Sequence, residues 1–185
     1  MIVGLLGLQG AFLDHIPHLD RLGVVHRIVR DRKGLSQIDR LIIPGGESTV
    51  MTKFLMEYDM ASPLKSRIAE GMPVWGVCAG TILLAEKIDG HTGPLCALPV
   101  EVTRNAYGRQ INSSRRWIDI PLFDVKSYPA IFIRAPKLDR LDSRTMVHAT
   151  MQGDPVFVQA GHVMATTFHP ELNQDDLFHR YFLSR

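Results

Sequence analysis

The sequence has little of several features that would indicate other classes of protein. Its net charge is only +2, because 21 Lys and Arg nearly balance 19 Asp and Glu, so we expect neither a nucleic-acid nor a membrane surface. It has only two cysteines, Cys78 and Cys96, too few for a disulfide framework. The apolar N-terminal stretch is too brief for a membrane span and lacks the features of a signal peptide. We therefore expect a cytoplasmic protein with two free thiols.

A dividing linker is also missing, since no Pro-, Gly- or Ser-rich stretch and no internal repeat interrupts the chain. With 45% hydrophobic and 22% charged residues, the composition is that of an ordinary globular protein. A length of 185 residues suits one domain. The sequence therefore predicts a single domain that spans residues 1–185.

The order of apolar runs predicts the fold class. In the first half, strand patterns alternate with helical patterns. Strands are predicted at residues 2–8, 24–29, 41–43 and 74–77, and helices at residues 11–22, 48–57 and 81–86. Closely spaced strand patterns follow at residues 99–103, 117–120, 130–133, 156–160 and 163–168, before a last helix at residues 174–183. Because several strands are apolar on both faces, we expect an α/β three-layer sandwich with a mostly parallel central sheet that both halves share.

The segment around Cys78 carries the strongest chemical signal. Residues 76–80 (GVCAG) lie where a predicted strand ends and a helical pattern begins. This is the pattern of a nucleophile elbow with Cys in place of Ser, where small neighbours allow a sharp turn that exposes the side chain. A cysteine in apolar surroundings is more often a core residue, but a core residue needs no glycine two positions away on either side. Cys78 is therefore the predicted nucleophile, and Cys96, which lacks this setting, is interpreted as structural.

His169 is the predicted partner of that nucleophile. A thiolate needs an imidazole to move protons and a third group to orient the imidazole. His169 follows a predicted strand and precedes Pro170, which favours extended geometry, and in an extended segment Glu171 projects to the same side as His169. The other seven histidines lack this setting and show no metal-ligand spacing, so we predict no metal.

A glycine-rich turn is predicted beside the nucleophile. Residues 44–48 (PGGES) follow another predicted strand, so in a parallel sheet they reach the same edge as Cys78. Alone, such a turn is equally well explained as a strand-to-helix connection with Ser48 as the helix cap. Next to a nucleophile it favours an oxyanion hole formed by the backbone amides of Gly46 and Ala79.

Together these motifs resemble the class I (triad) glutamine amidotransferases, which have a flavodoxin-like architecture. More narrowly, the chain is similar to the family of glutaminase subunits of pyridoxal 5'-phosphate synthases. Five blocks carry the narrower resemblance, in the family's order and across nearly the whole chain. They are residues 7–11 (GLQGA), 44–49 (PGGEST), 104–110 (RNAYGRQ), 133–136 (IRAP) and 168–172 (FHPEL).

The resemblance implies a function for each of these sites. Cys78 would be the nucleophile, His169 the acid/base and Glu171 the carboxylate that orients it. The residues implied to bind glutamine are Gly46, Glu47, Ser48, Arg104, Ile133 and Arg134. The implied activity is hydrolysis of L-glutamine to L-glutamate and ammonia through a cysteine thioester, with no cofactor. The implied partner is the synthase subunit that uses the ammonia to build pyridoxal 5'-phosphate (vitamin B6).

Three alternatives stay open on sequence alone. The chain could serve another synthase, such as the one that makes imidazole glycerol phosphate, although residues 104–110 weigh against this. It could act alone as a γ-glutamyl hydrolase, which would need no partner. It could also be a catalytically silent binding module, since fold does not imply function. A further hypothesis is that the loop at Gln9 and Gly10 shifts on docking and completes the oxyanion hole.

Overall fold

The computed structural model describes residues 1–104, 106 and 113–185. Its strands are β1 (Ile2–Leu6), β2 (Val25–Val29), β3 (Arg40–Ile43), β4 (Val74–Val77), β5 (Ala85–Ile88), β6 (His91–Thr92), β7 (Leu98–Thr103), β8 (Ser113–Ile120), β9 (Val125–Ile133), β10 (Lys137–Arg140), β11 (Met146–Met151), β12 (Asp154–Ala160) and β13 (Val163–Thr166). Its α-helices are α1 (Ile16–Arg21), α2 (Arg32–Leu35), α3 (Ser48–Glu57), α4 (Ala61–Ala69), α5 (Ala79–Leu84) and α6 (Leu177–Leu183). Short 3-10 helices cover Phe12–His15, Pro121–Phe123 and Pro170–Leu172.

A seven-stranded sheet forms the centre of the molecule, in the order β11-β12-β13-β4-β3-β1-β2. Strands β13, β4, β3, β1 and β2 pair in parallel, and β12 and β11 are added antiparallel at one edge. The predicted mostly parallel sheet is thus confirmed. The expectation that both halves share one sheet holds only in part. Strands β10, β7, β5 and β6 form a second sheet, and β8 pairs with β9 in an antiparallel ribbon.

Two apolar clusters cover the two faces of the central sheet, as a three-layer sandwich requires. Strand β4 shows the alternation: Val74 belongs to one cluster, whereas Trp75 and Val77 belong to the other. Helices α3, α4 and α5 pack on the Val74 face. On the Trp75 face, α6 contributes Phe178 and Phe182. None of the helices in the described ranges combines the length and hydropathy needed to cross a membrane.

Element boundaries differ from the sequence prediction where tertiary pairing competes with the local pattern. The predicted helix at residues 81–86 ends at Leu84, because Ala85 begins β5 and pairs with Leu98 of β7. The predicted helix at residues 11–22 is divided into a 3-10 turn and α1. Helix α4 was not predicted from the sequence.

The topology brings three strand ends together. Strands β13, β4 and β3 are parallel neighbours, so the segments that leave their carboxyl ends emerge at the same edge of the sheet. These segments lead to His169, Cys78 and the turn at residues 44–48 respectively.

Candidate active site

Cys78 lies in a sharp turn between β4 and α5. Its backbone has φ +49° and ψ −101°, a region that non-glycine residues rarely adopt. The flanking glycines allow close packing of this turn. A Cβ on Gly80 would lie 2.1 Å from the carbonyl oxygen of Ile43, and one on Gly76 would lie 2.6 Å from Leu84 Cδ1. The glycines are therefore required because helix α5 lies directly against the strands.

Hydrogen bonds fix this turn to the neighbouring elements. The Cys78 amide donates to the Thr166 carbonyl at 2.8 Å, and the Thr81 hydroxyl donates to the same carbonyl at 2.8 Å. Cys78 as a whole residue is 7% exposed, and its thiol lies 3.7 Å from the carbonyl oxygen of Ile133, at the end of β9. The thiol is therefore held in place and remains open to the cavity described below.

His169 and Glu171 form a buried hydrogen-bonded pair. His169 Nδ1 lies 2.6 Å from Glu171 Oε1, and the side chain of Glu171 is fully buried. The His169 amide donates to the Ile131 carbonyl at 2.8 Å, which anchors the histidine to β9. The two side chains meet for a different reason from the one predicted. Pro170–Leu172 is a 3-10 helix, not an extended segment, and its tight turn folds Glu171 back beneath the ring.

Electrostatics favour charge on both members of the pair. Burial lowers the pKa of His169, but interaction with Cys78 and Glu171 outweighs it and raises the pKa well above its ordinary value. Burial raises the pKa of Glu171, but the hydrogen bond from His169 reverses this and lowers it. His169 Nε2 is buried and has no hydrogen-bond partner of ordinary geometry among the described residues, although Cys78 is close enough to affect the charge of the ring. This nitrogen is therefore available to exchange a proton with the thiol.

The glycine-rich turn contacts both the histidine and the N-terminal loop. A Cβ on Gly45 would lie 2.4 Å from His169 Cε1, and one on Gly46 would lie 2.4 Å from Gln9 Oε1. Gln9 Oε1 also accepts a hydrogen bond from the Glu47 amide at 2.8 Å, and the Ala11 amide donates to the Gly45 carbonyl at 2.9 Å. The turn therefore needs two small residues because two other parts of the chain pack against it.

The helix cap of α3 is Glu47, not Ser48 as the sequence suggested. Glu47 Oε1 accepts from the Thr49 amide at 3.2 Å and from the Thr49 hydroxyl at 2.8 Å, whereas Ser48 is the first helical residue and is buried. These bonds lower the pKa of Glu47, with a further contribution from Arg134 and Arg104. Glu47 is therefore an anion fixed at the mouth of the site.

One cavity of about 550 Å³ collects these groups. It is lined by Gln9, Ala11, Gly45, Gly46, Glu47, Ser48, Thr49, Cys78, Ala79, Ile82, Arg104, Ile133, Arg134, Pro136 and His169. Every sequence-predicted site residue is in this lining except Glu171, which lies behind His169. Six lining residues were not predicted as ligand contacts: Gln9, Ala11, Gly45, Thr49, Ile82 and Pro136. All of them except Ile82 lie inside blocks that carried the resemblance, which was the available signal.

Two arginines give the cavity its positive charge. Arg104 Nε lies 2.7 Å from Asp89 Oδ2, so a carboxylate outside the cavity orients it. Arg134 follows β9 with φ +46°. Of the block at residues 104–110, only Arg104 and Ala106 belong to the described residues, and the rest of that block lies outside them.

Cys96 is exposed, and its thiol lies 2.9 Å from the carbonyl oxygen of Gly93 in its own turn. Among residues 1–104, 106 and 113–185, no group of three or more His, Cys, Asp or Glu is arranged to hold a metal ion.

Comparison with known proteins supplies the family. Residues 5–185 match the SNO glutamine amidotransferase family. The pyridoxal 5'-phosphate synthase subunit PdxT of Thermotoga petrophila is 46% identical over 184 residues, covering 99% of this chain and 98% of that protein. The subunit of the same name from Dehalococcoides mccartyi is 42% identical over 187 residues, covering 99% and 96% of the two chains.

Solved structures are also similar to this chain. A crystal structure described as a glutamine amidotransferase superposes with a TM-score of 0.92 at 40% identity, covering 100% of this chain and 98% of the other. A PurLQS structure from Thermotoga maritima, at a TM-score of 0.72 and 14% identity over 99% of this chain and 97% of that one, shares the fold. With its cysteine elbow and buried His–Glu pair on this fold, the chain belongs to the SNO glutamine amidotransferase family.

Proposed function

We propose that this chain is the glutaminase subunit of a pyridoxal 5'-phosphate synthase, and that it hydrolyses L-glutamine to L-glutamate and ammonia for a separate synthase subunit. One observation carries the proposal. A free thiol at a strained elbow and a buried His169–Glu171 pair meet at the same cavity of about 550 Å³. The PdxT relatives, whose printed name is that of a synthase subunit and which match nearly the full chain, support the choice of partner.

The cavity provides complementary charges for a zwitterionic amino acid. The Glu47 carboxylate suits the ammonium group of glutamine, and the guanidinium groups of Arg104 and Arg134 suit its carboxylate. The main chain at Gly46, Ser48 and Ile133 supplies further polar contacts around the ligand. These six residues are the proposed glutamine-binding set, and they leave the side-chain amide of glutamine to reach Cys78.

The first half of the reaction forms a thioester. His169 Nε2 takes the thiol proton, and Cys78 Sγ forms a bond to the side-chain amide carbon of glutamine. The oxygen of that carbon becomes negative and accepts from the Gly46 and Ala79 amides, where one such donor is worth about 3 kcal/mol of barrier. The C–N bond then breaks, and the leaving nitrogen takes the proton from His169 and departs as ammonia.

The second half releases glutamate. A water molecule gives a proton to His169 Nε2 and bonds to the thioester carbon, and the C–S bond breaks as His169 returns the proton to Cys78. Glu171 stays ionised throughout, because its role is to hold the ring and to stabilise the imidazolium that forms in both halves. The net change is glutamine plus water to glutamate plus ammonia.

A synthase partner follows from the chemistry of the product. Ammonia becomes protonated in neutral water and then loses its nucleophilic lone pair, so it must pass directly to an acceptor site. We place that site on the synthase subunit and the complex in the cytoplasm, where thiols stay reduced. The hydrogen bond from the Glu47 amide to Gln9 Oε1 supports the hypothesis that docking acts through the Gln9–Gly10 loop.

Glutamate release from glutamine tests the proposal. The assay compares the chain alone, the chain with the pyridoxal 5'-phosphate synthase subunit, and Cys78→Ala with that subunit. We expect activity that depends on the synthase subunit and is lost in the variant. Equal activity without the synthase subunit would instead indicate a free-standing γ-glutamyl hydrolase. Absence of activity in every mixture would overturn the proposal.

A further inference from the structure

Three buried histidines lie next to Glu171 and take no part in the reaction steps above. They are His15, His18 and His179, and each is at most 2% exposed. His15 Nδ1 lies 3.0 Å from His179 Nε2, and the His18 ring stacks on the His179 ring with centroids 4.1 Å apart. Because buried polar groups are usually hydrogen-bonded, the partners of these three rings indicate what the cluster does.

His18 holds the main chain of Glu171. Its Nε2 lies 3.0 Å from the carbonyl oxygen of Glu171, and its Nδ1 lies 2.8 Å from Asp176 Oδ1. Asp176 is in turn held by Arg21, whose Nη2 lies 2.6 Å from the same oxygen. His18 is thus held at both ring nitrogens, and it connects α1 to the segment that carries Glu171.

The side chain of Glu171 has one oxygen that His169 does not use. Glu171 Oε1 bonds His169, whereas Oε2 is buried and has no hydrogen-bond partner among the described residues. His15 Nε2 is also buried and has no partner there. The 3-10 helices Phe12–His15 and Pro170–Leu172, which carry the two atoms, pack against each other. A carboxylate oxygen and a ring nitrogen that can carry a proton are complementary, and leaving both unpaired is unfavourable.

The positions of the protons in the cluster would let the His15 ring donate a hydrogen bond towards Glu171. Burial lowers the pKa of His15 to about 4, although the charge of Glu171 partly opposes this, and burial also lowers the pKa of His179. Both rings are therefore neutral at pH 7, with one N–H each. If His179 Nε2 donates to His15 Nδ1, the proton of His15 is on Nε2. If His15 carried its proton on Nδ1 instead, Nε2 would present a lone pair to the Glu171 carboxylate.

We propose that His15 is a positioning residue of the glutaminase reaction: its Nε2–H attracts Glu171 Oε2, the carboxylate oxygen that has no other partner among the described residues, so that Oε1 stays on His169 Nδ1. The inference rests on the roles proposed above for Cys78, His169 and Glu171. It adds a residue from the N-terminal segment, oriented by His179, to the group of side chains that sets the orientation of His169. Residues that orient metal-bound histidines are typically worth about 10- to 100-fold in activity, and we expect an effect on the same scale for a residue that orients Glu171.

Alkylation of Cys78 by iodoacetamide tests the role without requiring turnover. Peptide mass spectrometry follows Cys78 and, as an internal reference in the same molecule, the exposed Cys96. The variants are His15→Leu, which removes the donor, and His15→Gln, whose amide N–H can replace Nε2–H. His148→Leu is the matched control. His148 is also partly buried against an aromatic ring, that of Phe157, and its Nε2 also has no partner in the described ranges.

We expect His15→Leu to slow Cys78 alkylation about tenfold and to leave Cys96 unchanged, whereas His15→Gln and His148→Leu keep the wild-type rates. In the synthase complex, His15→Leu should lower kcat by a similar factor with little change in KM. Wild-type alkylation in His15→Leu, or no recovery in His15→Gln, would overturn the role of His15. Partner-dependent glutamate release by the wild-type chain is judged separately, so the proposed function and this inference can fail independently.

A measurement on the wild-type chain covers the case in which the variants do not fold. Nitrogen-15 NMR of the imidazole rings reports which nitrogen of a neutral histidine carries the proton. We expect the Nε2–H tautomer for His15. The Nδ1–H tautomer would put a lone pair towards Glu171 and would overturn the proposal.

Discussion

The backbone of Cys78 is strained, and the strained turn presents the side chain at the elbow. Its backbone conformation, with φ +49° and ψ −101°, costs on the order of 1–3 kcal/mol. Glycine adopts this geometry freely. We therefore predict that Cys78→Gly unfolds at a higher urea concentration than Cys78→Ala, by about 1 kcal/mol in free energy of unfolding. Both variants lack activity, and equal or lower stability of the glycine variant would show that the elbow is not strained.

Gly45 is predicted to control the position of His169. In Gly45→Ala the new Cβ would lie 2.4 Å from His169 Cε1, so the ring must shift from its position beside Cys78. We expect kcat for glutamate release in the synthase complex to fall about 100-fold, because a displacement near 1 Å has a cost of this size. Gly153→Ala is the control.

That control separates activity from stability. Gly153 has φ +89° and open space around it, so alanine there should lower the free energy of unfolding by about 1 kcal/mol and leave kcat unchanged. If Gly45→Ala keeps wild-type kcat, the contact between the turn and the histidine has no catalytic consequence.

At the scale of single residues, the sequence predicted those groups that have a local signal. Cys78 was recognised from its flanking glycines and His169 from the strand and proline beside it. The cap at Glu47 was missed because Ser48 matches the usual cap preference equally well. The relation between His15 and His179 was missed because 164 positions separate them along the chain, and no local pattern reports such a contact.

At the scale of elements, the order of the strands was predictable up to β4, although helices α2 and α4 were missed. The second half was predicted less completely. Five strand patterns were recognised there, but β5, β6, β10 and β11 were missed. The division of the strands among three sheets depends on long-range pairing such as that of β13 with β4. Helix α5 was predicted to extend beyond Leu84 because the local pattern does not show that Ala85 pairs with β7. The edge of the sheet where the site forms was predictable, since it follows from parallel strands alone.

The packing of α6 on the 3-10 helix Phe12–His15 has a consequence for pH dependence. Burial lowers the pKa of His15 to about 4 and also lowers that of His179. Between about pH 6.5, where an unfolded histidine titrates, and pH 4 the unfolded chain binds more protons at these rings. The contribution of His15 and His179 to the free energy of unfolding is therefore present above about pH 6.5 and is lost as the pH falls.

We predict that His179→Phe loses less stability than the wild type between about pH 7.5 and pH 5.5, by about 1 kcal/mol. The phenyl ring fills the same aromatic environment next to Trp75 and His18 and cannot bind a proton. Urea unfolding at the two pH values measures the difference. An equal loss in both proteins would mean that His179 accepts a proton while folded.

On the scale of the whole molecule, we propose that residues 1–185 unfold as one domain. Trp75 is fully buried in the central core, and Trp117 is 65% exposed on β8, so the two tryptophans report on different sheets. In Trp117→Phe the fluorescence of Trp75 follows the central sheet, and far-UV circular dichroism follows all elements. We expect the same midpoint from both probes, and separate midpoints would indicate more than one folding unit.

The central claim is that Cys78 carries the γ-glutamyl group of glutamine as a thioester. Acid quenching of the synthase complex during turnover, followed by peptide mass spectrometry, measures this intermediate directly. The account predicts a γ-glutamyl adduct on the peptide that contains Cys78, none on the peptide that contains Cys96, and loss of the adduct on treatment with hydroxylamine. Steady glutamate release with unmodified Cys78, or with the adduct on another residue, would contradict it.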